Sequence, residues 1–461
     1  MLLLKITIAV LAGLFTGVSG AAQAQPWRLS EALKLGGPLS ISGTSRLRYE
    51  GLDEQFRTGR TGSDQVFVLR TTLQAQLNAR NWAITAELLD SRAYLDDRGT
   101  PLNTTVVNAV ELLQAHVSFK KQNWLRNGDS LHARAGRITM DVGSRRFVAR
   151  NRYRNTINGF TGIDAAWQNG EGHSVRAFFA LPVQRRPSEA SRLARNVIDF
   201  DKEYDSVKFW GLHAGTPIGQ FDSIGEVFLF GLHENDTPDF ATRNRNLLTP
   251  GLRWSRNASP GRFDFVFEAA LQFGESRASS ATSNLTDLQH FAHFEHAEIG
   301  YSFQTALTPR VVFQYDYASG DDSPNDNDNN RFDTLFGARR FDFGPTGVYG
   351  AFARSNLSSP GIRIQVKPHP ALRSFVAIRG FWLASDQDEW VSSGVRDAAG
   401  RSGSHLGTQV EMRLRWDVAP GNYRFETGVA HLILGEFAER APNANGNGDA
   451  TYFYAQAMFR F

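Results

Sequence analysis

Apolar and polar residues alternate with a period of two along most of this chain. In GRFDFVFEAALQFG, Phe263, Phe265, Phe267, Ala269, Leu271 and Phe273 share one parity, while Asp264, Glu268 and Gln272 share the other. Side chains alternate faces along a strand, so each such segment predicts a strand with one apolar and one wetter face. YFYAQAMFRF at 452–461 repeats the pattern, with Phe453, Ala455, Ala457, Phe459 and Phe461 on the apolar side. Alternating segments fall near 39–50, 65–80, 82–92, 109–120, 130–138, 160–168, 173–182, 207–215 and 224–233. They continue near 247–256, 262–274, 290–304, 309–318, 358–368, 371–384, 405–417, 421–433 and 451–461. The prediction is an all-β chain of about 18 strands, an even number within the range of bacterial membrane barrels.

The connections alternate too. Those after even-numbered strands are short, as at 168–172, 256–262, 367–372 and 418–422. Those after odd-numbered strands are long, as at 89–108, 139–159, 183–206, 318–357 and 385–404. A soluble sandwich has no reason to keep that rhythm, whereas an outer-membrane barrel has short periplasmic turns and long extracellular loops. In lipid no strand edge can stay open, so the fold class is a closed transmembrane antiparallel β-barrel.

The N-terminus adds the route. Residues 1–24 carry one early charge, Lys5, an apolar run from Ile6 to about Val18, and small residues at Ala22-Gln23-Ala24. This predicts a secretory signal peptide cut after Ala24, leaving 25–461 as one barrel domain in the bacterial outer membrane. Lipid and lipopolysaccharide are then its surroundings. There is no cysteine, so no disulfide framework is available. A formal net charge of +3 points to no nucleic-acid partner.

Parity also assigns the inside. With Leu47 and Tyr49 facing lipid, Arg46 and Arg48 face the lumen, and the same reasoning places Arg70, Arg134, Arg176, Arg363, Lys367, Arg413, Arg415 and Arg460 there. Inward acids are fewer: Glu87, Asp264, Glu268 and Glu411, with Asp316 and Glu426. A low-dielectric wall focuses the field of such cations and favours anions. Arginine grips carboxylates through two parallel hydrogen bonds. The competing expectation is that these charges pair internally and only hold the barrel in shape. A bore packed with nonpolar side chains would exclude the conduit.

The stretch AGRITMDVGSRRFVARNRYRNTINGFTGIDAAW resembles the alginate export family of outer-membrane β-barrels, as do TPGLRWS, PRVVFQYDYASGDDSPNDNDNNRFDTLFGARR and HLGTQVEMRLRW. The resemblance implies an arginine-lined conduit that passes an anionic polyuronate outward, working with periplasmic export components. It makes Arg137, Arg145, Arg146, Arg152 and Arg154 the candidates for the constriction. SRRFVAR is more basic than is usual in that family, which bears on selectivity. The second functional expectation is an uptake porin for small carboxylate solutes. The third is an outer-membrane hydrolase, for which His116 and Ser118 share a parity.

Two smaller signals remain. GDDSPNDNDNNRFD gathers Asp321, Asp322, Asp326 and Asp328, oxygen ligands that suit Ca²⁺, against the plainer reading of a solvated loop. In HFAHFEH, His290 and His296 share a face and His293 opposes them, a poor geometry for one metal. No cofactor is required by any of these readings.

Overall fold

The computed structural model describes residues 25–323, 325–446 and 448–461. The predicted signal peptide lies outside the described residues. Eighteen long strands form the wall: β1 (Leu39–Asp53), β2 (Asp64–Ala79), β3 (Trp82–Tyr94), β4 (Asn108–Gln122), β5 (Ser130–Ile138) and β6 (Phe160–Gln168). They continue as β7 (Ser174–Gln184), β8 (Val207–Ile218), β9 (Ser223–Glu234), β10 (Asn246–Arg256), β11 (Phe263–Ser276) and β12 (Leu288–Ser302). The last are β13 (Arg310–Ala318), β14 (Leu357–His369), β15 (Leu372–Trp382), β16 (His405–Ala419), β17 (Tyr423–Leu434) and β18 (Ala450–Arg460).

Each strand pairs antiparallel with its neighbours in the chain, and β1 pairs with β18 in the register Tyr49↔Ala455. That last pairing closes the sheet, so no ladder edge is left for lipid to solvate. The seam continues to the final residue. Gly43 N donates to the Phe461 carbonyl at 2.9 Å, and Phe461 N donates to the Gly43 carbonyl at 3.0 Å. At the same end Trp27 stacks on Phe459, with ring centroids 5.9 Å apart.

The length rhythm of the connections is the one predicted. Turns such as 80–81 and 370–371 lie at one end, with both chain termini, and loops such as 139–159 and 319–356 lie at the other. Outward residues are apolar and exposed, among them Leu47, Ile163, Leu212, Phe313 and Ile378. This is the face that lipid covers.

One expectation needs correction. The inward parity is polar only in part of the bore. In the long-loop half it carries Val66, Val68, Phe178, Phe209, Phe230, Phe294, Phe381, Tyr452 and Tyr454, all buried. The reason is that loops 139–159 and 319–356 fold back into the barrel, so these wall residues meet protein instead of water. Two apolar lobes result. In one, Phe147 sits against Phe228 at 5.2 Å and Phe294 at 5.7 Å. In the other, Phe343, Tyr349 and Phe352 pack with Phe381, Trp390 and Tyr452. Burying each such ring stabilises the inward loops by about 1.5–3 kcal/mol.

Candidate functional site

The segment Arg152–Asn155 of loop 139–159 crosses the inner wall of β1 and β2 without a strand partner. Buried carbonyls need donors, and wall arginines supply them. Arg46 donates to the carbonyls of Tyr153 at 2.9 Å and Arg154 at 3.1 Å, and to Asn155 Oδ1 at 3.0 Å. Arg70 donates to the carbonyls of Arg152 at 3.0 Å and Arg154 at 2.9 Å. Arg48 donates to the Tyr153 carbonyl at 2.8 Å and pairs with Glu50 at 2.6 Å. All three guanidinium groups are inside the barrel and occupied in holding the loop.

A buried charge network ties both inward loops to the opposite wall. Arg146 pairs with Glu268 at 2.7 Å and with Asp342 at 2.9 Å, and its Nη2 lies 2.8 Å from His296 Nε2. Arg354 pairs with Asp342 at 2.6 Å, and Arg379 pairs with Asp316. Around it, Arg340 pairs with Glu411 at 2.8 Å, Arg150 with Glu87 at 2.6 Å, and Arg137 with Glu111 and Glu203. His296, Asp316 and Asp342 bring ligand atoms within 4.8 Å of one another, as a metal site would. Arg146, Arg354 and Arg379 already fill that role, and three fixed cations repel a fourth. The arrangement is a salt-bridge cluster.

Nearer the short turns, the wall charges also pair. Arg134 and Arg176 share Asp164, the latter at 2.7 Å. Arg310 takes Asp264 and, at 2.7 Å, Glu298, while Arg415 takes Glu426 at 2.6 Å. Arg413 and Arg363 differ. Both lie over the Phe375 ring, at 4.6 and 5.3 Å, and neither has a carboxylate partner among the described residues. Lys367 is exposed and Arg460 half-buried at the short-turn end.

A cavity of about 400 Å³ opens between loops 54–63, 139–159 and 319–356. Arg57, Arg154, Arg339 and Arg354 line it together with Asn151, Thr105 and Ser392, and no carboxylate does. Arg339 donates to Ser392 Oγ at 3.2 Å and to the Gly350 carbonyl at 3.3 Å, and Arg57 donates to the Tyr349 carbonyl. Arg154 has no ion-pair partner among the described residues. Burial, then the neighbouring Arg339 and Arg60, pull the Arg57 guanidinium down to about 10. Burial and Arg354 do the same to Arg339, also to about 10, and burial with Arg185 and Arg339 holds Arg154 well below its ordinary value. Desolvated cations facing one another in this way are stabilised by an incoming anion. Gly347 shapes the rim. At φ +85° it lets Val348 N donate to Glu50 at 3.0 Å, and a Cβ there would overlap that carboxylate.

The other predicted residues are placed as follows. Arg152 is largely exposed and pairs with Asp141 at 2.8 Å. Arg145 has φ +71° and lies over Phe341 at 5.1 Å. Asp321, Asp322, Asp326 and Asp328 do not converge as a ligand group among the described residues, and Asp326 accepts the Asp328 N–H at 2.8 Å. His293 faces outward beside Glu295, and His290 is buried against Ser276 and Gln272. Ser118 Oγ donates to the Ala83 carbonyl at 3.4 Å and not to His116. The sequence reading missed Arg57, Arg339, Asp342 and Arg354, all loop residues. It also missed Arg379, which inward parity on β15 could have found.

The alginate export family model matches residues 37–451. No curated protein matches. Among solved structures, the chain is similar to the outer-membrane protein OpdK from Pseudomonas aeruginosa. Identity is 11%, coverage 92% of this chain and 99% of that one, and the TM-score 0.56. OpdK with vanillate gives 10% identity, 92% and 99% coverage and a TM-score of 0.57. OccAB1 from Acinetobacter baumannii gives 10% identity, 96% and 100% coverage and a TM-score of 0.58. At such identities the likeness is one of fold.

Proposed function

This chain belongs to the alginate export family of outer-membrane channels, and we propose that it is an anion-preferring channel exporting a polyuronate of the alginate type. The observation that carries the reading is the 400 Å³ cavity, walled by Arg57, Arg154, Arg339 and Arg354 with no carboxylate in its lining. A polyuronate presents a carboxylate on every ring. Its path from the periplasm starts at Lys367 and Arg460 and continues past Arg415, Arg413 and Arg363 to the cavity. Because apolar lobes pack the long-loop half of the bore, passage requires loops 139–159 and 319–356 to move aside. Several weak sites in series let each carboxylate leave as readily as it arrives. Arg413 and Arg363 rest on Phe375 without acid partners, so no fixed carboxylate competes there with a passing anion, although Arg363 also donates to the Phe341 carbonyl at 3.0 Å.

The test is reversal potential in a KCl gradient across a planar bilayer. Chloride preference is expected, and Arg154→Glu with Arg339→Glu should turn it into potassium preference. Cation preference in the unaltered protein overturns the reading.

A second reading, uptake of small carboxylates, is favoured by the inward packing of loops 139–159 and 319–356. A cavity of about 400 Å³ is of small-ligand size. OpdK, of the same fold, has been solved with vanillate. Block of the current by polyuronate from the periplasmic side supports export. Block only by monomeric carboxylates supports uptake.

A further inference from the structure

A second cavity, of about 580 Å³, opens at the long-loop end beside the first. It is bounded by the end of β7, loop 185–206 and the tip of loop 235–245. The two cavities share a partition. Thr104 and Phe336 line this one, while Asn103, Thr105, Leu335 and Gly337 line the other.

Its charges are unevenly satisfied. Asp199 pairs with Arg192 at 2.9 Å and with Arg186 at 3.5 Å, and Glu189 lies 3.6 Å from Arg192. Arg185 and Lys202 have no carboxylate at ion-pair distance among the described residues. Arg185 is nonetheless held in one pose, with Nε donating to the Thr104 carbonyl at 2.7 Å and Nη1 to Asn158 Oδ1 at 3.0 Å. Its Nη2 has no protein acceptor among the described residues. Lys202 Nζ sits 5.0 Å from the Tyr204 ring, which stacks on Phe240 at 4.3 Å and 9°. Two cations without ion-pair partners therefore line a concave site with a flat aromatic slab, together with one carboxylate, Asp239, that has no ion-pair partner among the described residues.

We infer that this cavity is a binding site for a sugar acid at the outer mouth of the channel. Arg185 and Lys202 hold the carboxylate, and the Tyr204–Phe240 slab carries the apolar face of the pyranose ring. A pre-placed guanidinium with a free N–H is the donor a carboxylate needs, and a rigid aromatic face supplies contact area at little entropic cost. The inference rests on the anion-channel reading and names what that channel holds at its outer end. Neither a bare inorganic anion nor a neutral sugar uses both halves of the site.

Digalacturonate added to the outer side of a planar bilayer tests it. The unaltered protein should show transient current blockades, which cellobiose does not cause and which succinate causes at least about tenfold more weakly, a difference of about 1.4 kcal/mol. Arg185→Gln with Lys202→Gln should weaken digalacturonate blockade by about tenfold or more. Phe240→Ala should bring digalacturonate and succinate closer together. Each variant is first shown to migrate as a folded barrel without boiling. If the double variant does not fold, Arg185→Lys, which keeps the charge and loses the fork, takes its place and should still weaken blockade. Equal blockade in variant and unaltered protein, or succinate acting as strongly as digalacturonate, overturns the site. Reversal potential separates the two inferences. Anion preference without outer-side blockade removes this site alone, while cation preference removes both.

Discussion

Two sets of arginines lie inside this barrel, and their surroundings differ. On the lower wall Arg134 and Arg176 share Asp164, and Arg310 is enclosed by Asp264 and Glu298. Around the 400 Å³ cavity, three loops bring Arg57, Arg154, Arg339 and Arg354 together with no acid in the lining. Strand registers pair wall residues with fixed neighbours, so a wall cation gets its carboxylate from the next strand. The loop cations Arg57, Arg154 and Arg339 have no such neighbour among the described residues, whereas Arg354 reaches Asp342 at 2.6 Å. Charge paired with carboxylates is therefore spent on architecture, and Arg57, Arg154 and Arg339 are left to face solute.

The strongest way to break this contrast is to remove an acid from the paired set. Asp342→Ala leaves Arg146 and Arg354 buried beside an empty position. Breaking a buried pair by deleting one partner costs about 3–5 kcal/mol. The urea midpoint for unfolding from lipid vesicles should drop accordingly. A midpoint equal to that of the unaltered protein would mean that the network is solvated and the contrast illusory.

Next in size is the clamp on the loop. Arg46→Ala removes one of the two charged donors from each of the Tyr153 and Arg154 carbonyls, leaving Arg48 and Arg70, each such bond contributing about 1.5–3 kcal/mol. Loop 139–159 should then fluctuate, seen as open-channel noise and faster proteolysis within that loop. Arg70→Ala should act in the same direction. If single-channel current stays as quiet as before, these residues are not positioning the loop.

A third comparison puts one residue of each set side by side. Arg57→Gln removes a cavity cation and should lower the chloride-to-potassium permeability ratio by about threefold, under 1 kcal/mol. Arg310→Gln removes a wall cation whose field Asp264 and Glu298 already cancel, and should shift the ratio far less. Equal shifts would erase the distinction.

The architecture was legible because it rests on period-two patterning. Strand number, loop rhythm and the outward face at Leu47 or Phe313 follow from alternation alone, and so does the inward position of Arg46, Arg134 and Arg176. The site was less legible. Arg57, Arg339 and Arg354 sit in loops without periodicity, and nothing local says that three separate loops converge. Nor could parity distinguish a guanidinium facing water from one bound to a backbone carbonyl, as Arg46 and Arg70 are. Phe209 and Phe230 lie on the inward parity yet are apolar, because the loops that cover them are invisible to a pattern read strand by strand.

The smallest expected effect is one of pH, and it sharpens the contrast from outside the wall. Asp201, in loop 185–206, accepts from Asn108 Nδ2 at 2.8 Å and from Arg186 N at 2.9 Å. Burial, with Glu111 close by, raises its carboxyl from 3.8 to about 6. The folded protein therefore takes up a proton at higher pH than the unfolded chain does. Stability from this group rises as pH falls through about 6 and is complete once pH lies below the ordinary carboxylate value. Protonation also removes a negative charge that acts on Arg185, so digalacturonate added from the outer side should be held about twofold more tightly near pH 5 than near pH 7. Asp201→Asn should flatten that dependence. The cavity guanidinium groups, at about 10 for Arg57 and Arg339, keep their charge across the same range. Reversal potential should accordingly stay level while outer-side blockade changes. A reversal potential that moved in step with blockade would place the two cavities under one electrostatic control and undo their separation.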